Sequence, residues 1–420
     1  MARTLTPKDG YALINALVRQ LTGQDAQAVV NASDFVSAGE TVMAYSKTNI
    51  LNALTMVIGR TFAAVRPYNA KMWMVNAIDT GVYTHRLRKL SFYADDALPS
   101  GYFNTDAYTN FQKGFTAGSN GGTSTPSQWE QHPQKVVEVN FGGSSTWQDC
   151  YSWYENKLEV AFRSVEDFNI LVEGFLTEKG NDIESQKEAW NRMTVLSCIA
   201  QRYYLQANSL ANNTAINLTS AFNTHFGTSY TTLQLQTTYL KDFLEFMVTV
   251  IKMHMERFTE RSTDYHDPLQ VTDGGINYHI LRHTPYDRQR LMLFNPLFRM
   301  AESMVMPEIF RPEYLDINKQ FERVEYWQSN DTEAHRSAIN FNSAYLDTVT
   351  GTQKATGAVQ LDYVVGILYD VDAMMTDFQL EEVRTTEVEA RKGYRNTWYT
   401  FAKNSIIDQT EKAVIFYMAD

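Results

Sequence analysis

Apolar positions along this chain change their period more than once, and the changes divide it into parts. Near the start, Leu13, Leu17 and Leu21 recur at helical spacing behind Thr6 and Pro7. Thr6 is a good N-cap, Pro7 suits the first helical position because its missing N–H would find no partner there, and Gly23 is a natural stop. A second helix is predicted over about residues 49–65, with Leu51, Leu54, Ile58 and Phe62 on one face and Pro67 ending it. Residues 24–47 between them are polar and small, a connector. Two modest helices with so little apolar surface to share describe an arm rather than a domain.

From about residue 70 the period becomes two. Met72, Met74 and Asn76 alternate with Trp73, Val75 and Ala77; Tyr83 to Tyr93 is a second extended run; Lys135 to Phe141 and Tyr151 to Phe162 read as further strands. Between Gly101 and Pro126 the chain is rich in Gly, Ser, Thr and Asn, peaking at Gly118-Ser119-Asn120-Gly121-Gly122, which offers no side chains to build a core. The whole is a long antiparallel β excursion whose far end, around 114–127, reads as a flexible connector.

Helical spacing returns at Val165. Gly180 is expected to break it, after which Asp182 caps a strong helix to about Gln206 whose buried face is Ala189, Met193, Leu196, Ala200 and Tyr203. Residues 208–235 are polar with β-favouring Thr. A second strong helix is predicted over about Thr238 to Phe258, with Leu240, Phe243, Met247 and Val250 on one side. From Arg261 to Gly357 the pattern is mixed, with short apolar runs such as Leu291-Met292-Leu293-Phe294, and suits an α/β lobe. Three extended runs follow: Leu361 to Asp370, Phe378 to Glu389 and Lys412 to Met418. The last is expected to be tied into a sheet.

Composition narrows this picture. The 420 residues exceed one simple compact domain, so two or three lobes are expected. A net charge of −11 disfavours a dedicated nucleic-acid binder, which carries a basic face. Cys150 and Cys198 form no CxxC and no disulfide framework, so a reducing compartment and two small buried side chains are expected. The first residues have no signal-peptide core, and no apolar stretch approaches the roughly 18–20 residues of a membrane span. The 13% of aromatic residues fits surfaces that are half wet.

Candidate chemistry is thin. His279 and His283 would share a face if they lay on a helix, but Ile280 stands where a zinc-protease pattern needs Glu, and Pro285 follows at once. No metal site is expected there, and no cofactor. His254, on the apolar side of its helix, reads as a satisfied core residue. No phosphate-binding or nucleophile-elbow glycine motif occurs, and pairs such as Asp95-Asp96 and Glu381-Glu382 read as solvated faces. Arg86, Arg88 and Lys89 have two readings, the charged face of a strand or an intersubunit salt bridge onto an acidic neighbour.

The order of parts, together with two local stretches, resembles the major capsid proteins of tailed double-stranded DNA bacteriophages, the HK97-fold family, and most of all those of short-tailed phages. One stretch is the lead-in Leu158-Glu159-Val160-Ala161-Phe162 and the helix through Tyr204. The other runs from Gly366-Ile367-Leu368-Tyr369-Asp370 through Gly393-Tyr394-Arg395-Asn396-Thr397-Trp398-Tyr399 to Ala413-Val414-Ile415-Phe416. The resemblance implies an α+β capsid fold with an N-terminal arm (1–66), an extended β loop (67–163), a peripheral spine helix (164–207), an axial domain (208–354) and peripheral closing strands (355–420). It implies a structural protein and not an enzyme. The chain would assemble with itself into pentamers and hexamers of an icosahedral head in the virion, built in the bacterial cytoplasm. The implied partners are a separate scaffolding protein, a portal, cement proteins and non-specifically touched packaged DNA, with no membrane. The excursion at 67–163 is longer than the family's usual loop. Two rivals are an encapsulin-type compartment shell and a soluble enzyme using His279 and His283.

Overall fold

A computed structural model describes residues 71–72, 74–78, 86–93, 135–142, 145–154, 165–268, 270–273, 276–304, 321–348, 350–387, 389 and 391–420, with isolated positions 15 and 38. The expected arm helices, the connector at 24–47 and the loop end at 114–127 fall outside these residues, apart from those two positions.

The axis of the fold is helix α1 (Val165–Ala207), 43 residues without a break and so roughly 65 Å long. The expected stop at Gly180 does not occur. Gly180 is buried, and its neighbour Lys179 is held from two sides, by Asp149 at 2.5 Å and by Asp182 at 3.4 Å. Glycine inside a helix costs about 1 kcal/mol, which tertiary contacts of this kind override. Asp182 therefore serves as an i,i+3 ion-pair partner rather than a cap.

The buried face of α1 also lies about one residue away from the expected one. Leu196 and Ala200 are buried, but Ala189 is exposed and Met193 and Tyr203 are half-buried. The centre of the face runs through Glu188, Arg192, Val195, Ile199 and Arg202, all buried. Two of its charged members pair with each other. Arg192 donates to Glu188 at 2.8 Å and to the carbonyls of Tyr326 and Trp327, and its guanidinium lies 3.7 Å from the Tyr326 ring centroid.

Against the C-terminal half of α1 packs a five-stranded sheet, ordered β5 (Ala215–Asn217), β15 (Ala413–Met418), β12 (Tyr363–Asp370), β8 (Gln289–Phe294) and β9 (Phe321–Val324). Strand β12 is its centre. Val364, Val365, Ile367, Leu368 and Tyr369 are each at most 1% exposed, so the strand is covered on both faces, as its nearly continuous apolar sequence allows. At Gly366 strands β12 and β8 leave no room for a side chain, since a Cβ there would run into Leu293 Cδ2 and stand 2.6 Å from the Met292 carbonyl oxygen. The same core takes in helix α4 (Leu240–Phe258) through Phe243, Leu244, Met247, Val250, Ile251 and Phe258, much as the helical spacing predicts.

The Thr-rich 208–235 stretch forms helices, not strands beyond β5. Helix α2 (Leu218–Phe226) is capped by Asn217 Oδ1, which accepts from Thr219 and Ser220, and closes on Gly227 at φ +66°. Helix α3 (Thr232–Thr237) opens with a capping box of Thr231 and Gln234. The polar residues there are caps rather than strand formers.

A second, four-stranded sheet is ordered β1 (Asn76–Ile78), β13 (Met374–Thr385), β14 (Tyr394–Ile407) and β4 (Ser145–Tyr154). The alternation at 72–77 is only partly a strand. Met72, Met74 and Val75 are all buried ahead of β1, with Met72 at φ +61°, because the Glu322 carboxylate on β9 accepts the backbone N–H groups of Met72 at 2.5 Å and Met74 at 3.2 Å. The ribbon of β2 (Arg86–Tyr93) and β3 (Lys135–Gly142) is antiparallel, as are the pairs β6 (Gln270–Asp273) with β7 (Ile276–His279) and β10 (Ile339–Leu346) with β11 (Gln353–Leu361). Two short helices complete the described residues, α5 (Asn295–Met304) and α6 (Glu333–Arg336). The sheets do not follow the chain in blocks. β5, β8 and β9 come from residues 208–354, and β12 and β15 from 355–420, in one sheet.

Candidate assembly surfaces and the joint behind them

The β2–β3 ribbon has two unlike faces, as strict alternation requires. Leu87, Lys89, Ser91, Val137, Val139 and Phe141 turn toward the body and are at least half-buried, while Arg88, Leu90, Phe92, Val136, Glu138 and Asn140 are exposed. Among the exposed apolar ones Phe92 is 65% accessible, Val136 46% and Leu90 42%. Inward, the apolar contact among the described residues is Val139 and Ile280 with Val137, Phe141 and Leu346 around them.

The three basic residues singled out in the sequence separate here. Arg86 opens β2 opposite Gly142. Arg88 points outward and pairs with Glu138 across the ribbon at 2.8 Å, an exposed pair that contributes at most about 1 kcal/mol. Lys89 points inward and is spent within its own chain. Its ammonium pairs with Asp408 and with Glu411, the latter at 2.5 Å, and donates to Thr410 Oγ1 at 3.1 Å. Arg282 joins the group, donating to Ser91 Oγ at 2.7 Å and lying 3.6 Å from Glu411.

Lys89 thereby reaches a turn, residues 408–412, that sequence reasoning passed over. Arg202, fully buried on α1, donates to the carbonyls of Asp408 at 2.8 Å, Gln409 at 3.0 Å and Glu411 at 3.1 Å. Lys412, equally buried, donates to the carbonyls of Glu260 at 2.6 Å and Phe258 at 3.3 Å and to Ser262 Oγ at 3.2 Å. Gln409 bonds Asp267 Oδ2 at 2.6 Å and both backbone groups of Leu346. The available signal was a charged run, Asp408 to Lys412, set between two apolar strands, where a solvated turn is the ordinary reading.

Burial sets the electrostatics. Burial, with Arg202 opposing, pushes the Asp267 carboxyl up to about 7. Its neighbour His266, 1% exposed, is pushed down to about 4 by burial, although both ring nitrogens face backbone carbonyls, of Asp264 and Ile280, at 3.1 Å. His254 is the core residue its position predicts: buried, with Nδ1 2.9 Å from the Tyr265 hydroxyl, and lowered to about 4 by burial and then by Arg257. His279 ends strand β7 instead of lying on a helix, and His283 is exposed, so the i,i+4 spacing places no helical pair. Among the described residues no three His, Cys, Asp or Glu side chains group as a metal would need. Cys198 is buried and Cys150 half-buried, both free thiols.

The four-stranded sheet exposes large apolar side chains on both faces, Trp147 of β4 and Val383 of β13 on the face toward α1, and Tyr154 of β4 and Trp398 of β14 on the other. Trp147 also meets Trp190 of α1 edge to face at 5.8 Å, which ties β4 to the helix. A groove of about 530 Å3 lies between α1 and residues 326–330, lined by Glu188, Arg192, Met193, Gln328 and Phe341. Among the described residues no helix is long and apolar enough to cross a membrane.

A long helix packed on a mixed sheet, a second sheet joined through paired strands, and a ribbon laid over the junction define a phage-capsid architecture, the α+β fold of HK97 type. It is shared with a chain in the capsid structure of Staphylococcus phage Andhra, with a TM-score of 0.51 over 85% of this chain and 86% of that one, at 9% sequence identity. Less alike are a chain in a structure of bacteriophage P68 that includes its head fibre and inner core protein (TM-score 0.49, 8% identity, 84% and 86% covered) and one in the capsid structure of cyanophage P-SCSP1u (0.39, 10% identity, 85% and 90% covered). The fold assignment rests on the first. No family model and no curated protein matches the sequence.

Proposed function

We propose that this chain is a major capsid protein that assembles with itself into the pentamers and hexamers of an icosahedral head around a double-stranded DNA genome. The observation that carries the reading is the fold shared with the Andhra capsid chain over 85% of one chain and 86% of the other. The surfaces agree with it. The ribbon and the four-stranded sheet each expose large apolar side chains, and two different patches that mate head to tail generate closed rings. In this reading Arg88, Leu90 and Phe92 on the outer face of β2 meet a neighbouring subunit, and the role is structural, not enzymatic.

The division into arm (1–66), extended loop (67–163), spine helix (164–207), axial part (208–354) and closing strands (355–420) belongs to the same proposal. So do a separate scaffolding protein, a portal, cement proteins, non-specific contact with packaged DNA, and assembly in a bacterial cytoplasm. The test is negative-stain microscopy with size-exclusion chromatography of the chain expressed alone and beside its neighbouring virion genes. Shells, tubes or discrete pentamers and hexamers are expected. A strictly monodisperse monomer or dimer, unchanged by a co-expressed scaffold, overturns the reading.

A further inference from the structure

Besides helix α1, which runs from β4 to β5, two short crossings carry the chain between its two main sheets. Residues 371–373 lead from β12 to β13, and residues 408–412 lead from β14 to β15. The crossings lie side by side, because Asp408 N–H donates to the Ala373 carbonyl and Asp370 N–H to the Lys412 carbonyl, each at 2.9 Å. Together they form a two-strand joint beside α1, which packs on strands of both sheets. Most of what holds the joint comes from within the body: Arg202, Lys412, Gln409, and Asp370 bonded to Thr284 at 2.8 Å.

One fastening comes from outside it. Lys89, on the ribbon, stands between Asp408 and Glu411 of the second crossing. Asp408 is 1% exposed, and its other oxygen already accepts from Thr410 N at 2.9 Å and Thr410 Oγ1 at 2.7 Å. A carboxylate so buried depends on the cation bonded to it. The ribbon shares that bond, and among the described residues its other holds on the body are the Arg282–Ser91 hydrogen bond and a few apolar side chains around Val139 and Ile280.

We propose that the β2–β3 ribbon is a charge-fastened strap whose Lys89 clamps the joint between the two sheets, so that ribbon and joint tighten or loosen together. The strap is a property of the single chain. Its consequence for a shell rests on the capsid reading. There, a neighbour gripping the outward Arg88, Leu90 and Phe92 would pull on the strand that carries Lys89, and so pass its position to the bend of the subunit.

The experiment is hydrogen exchange on the purified, unassembled chain, comparing amides 86–93 and 408–412 with those of central strand β12. Its outcome does not depend on whether shells form. Lys89→Met is expected to speed exchange by about tenfold in both segments while β12 is unchanged, the pattern of a local opening. The conservative Lys89→Arg, which keeps a cation between Asp408 and Glu411, is expected to hold both segments much closer to wild-type rates than Lys89→Met does. Loosening confined to the ribbon, with 408–412 at wild-type rates, overturns the proposal and leaves Lys89 a simple tether. A Lys89→Arg chain as loose as Lys89→Met also overturns it. If Lys89→Met does not fold, Glu411→Gln leaves the buried Lys89–Asp408 bond in place and removes only the outer half of the clasp. Both segments should then loosen, and wild-type rates in both would again overturn the strap.

Discussion

The centre of the five-stranded sheet and the outer strand of the four-stranded one treat side chains in opposite ways. In β12 and β15 nearly every residue is buried, on both faces, and Phe416, Ile415, Val414 and Ala413 have no exposure at all. In β4, at the outer side of the other sheet, no described side chain is fully buried, and Trp147 stands 55% exposed. The first sheet stabilises the fold of the single chain. The second keeps large apolar groups in water, a cost of roughly 25 cal/mol per Å2 that is recovered only when something covers them. On the proposed capsid reading, the first holds the subunit and the second meets the next.

The largest effect is expected in the buried sheet. Phe416→Ala should cost about 3–5 kcal/mol, because a fully buried aromatic leaves a cavity that neighbours on β12 and α4 only partly fill. Chemical denaturation would show the midpoint falling steeply or the chain becoming insoluble. A loss under about 1 kcal/mol would contradict the core as described. Next comes Gly366→Ala. The added Cβ runs into Leu293 Cδ2 and meets the backbone oxygen of Met292 at 2.6 Å, and the backbone cannot step aside cheaply in the middle of a sheet. A loss of about 1–3 kcal/mol is expected. An unchanged melting temperature would mean that β8 and β12 are farther apart than this.

How much of this was legible in the sequence follows from what each residue's neighbours can do. The strands β8, β12 and β15 and helix α4 were readable because apolar runs of that length and spacing have one economical way to be buried. The joint was not. Arg202, Asp408 and Lys412 read as ordinary solvated charges, and only their three-dimensional neighbours, distant backbone carbonyls for Arg202 and Lys412 and the Lys89 ammonium for Asp408, let them be buried. The same blindness displaced the expected face of α1. A reading by apolarity chose Ala189 and Met193, while the face that packs includes Glu188 and Arg192, which neutralise each other at 2.8 Å. Lys89 was picked out for its charge, but alternation along β2, which sends it inward and Arg88 outward, is what separates their roles.

A smaller effect sharpens the contrast at the joint itself. Asp267 and His266 are adjacent and buried, and burial shifts them in opposite directions, to about 7 and about 4. Between pH 4 and 6.5 the unfolded chain protonates His266 and the folded chain does not, so its contribution to stability is full above 6.5 and falls as pH drops toward 4. Asp267 works the other way. The folded chain keeps the carboxyl protonated where the unfolded chain has released the proton, so its contribution is full below 3.8 and is lost as pH rises through about 7. The two largely offset each other in the wild type. Asp267→Asn removes one arm, and its melting temperature should fall more steeply than wild type as pH is lowered from 6.5 to 4.5. Parallel melting curves for the two proteins over that window would show that Asp267 is not the buried acid described here.

The smallest effect on the single chain, and the one that tests the comparison most directly, is the same side chain moved to the other kind of surface. Phe92 lies on a strand, as Phe416 does, but it is 65% exposed on the outer face of the ribbon, while Phe416 is fully buried. Phe92→Ala should leave the unfolding free energy of the isolated chain within about 0.5 kcal/mol, as for other surface substitutions. If the outer face of the ribbon is covered by a neighbour, the lost contact is worth roughly 2 kcal/mol at each interface, and it recurs at every copy in the shell. Particle yield should therefore collapse in a variant whose melting temperature has not moved. A Phe92→Ala chain that forms shells as readily as wild type would remove the outer face from the list of contacts and leave the four-stranded sheet, with Trp147 and Trp398, to carry them. A chain that loses stability as Phe416→Ala does would mean that Phe92 is already covered within the single subunit, and the division between a folding sheet and a meeting surface would have to be drawn elsewhere.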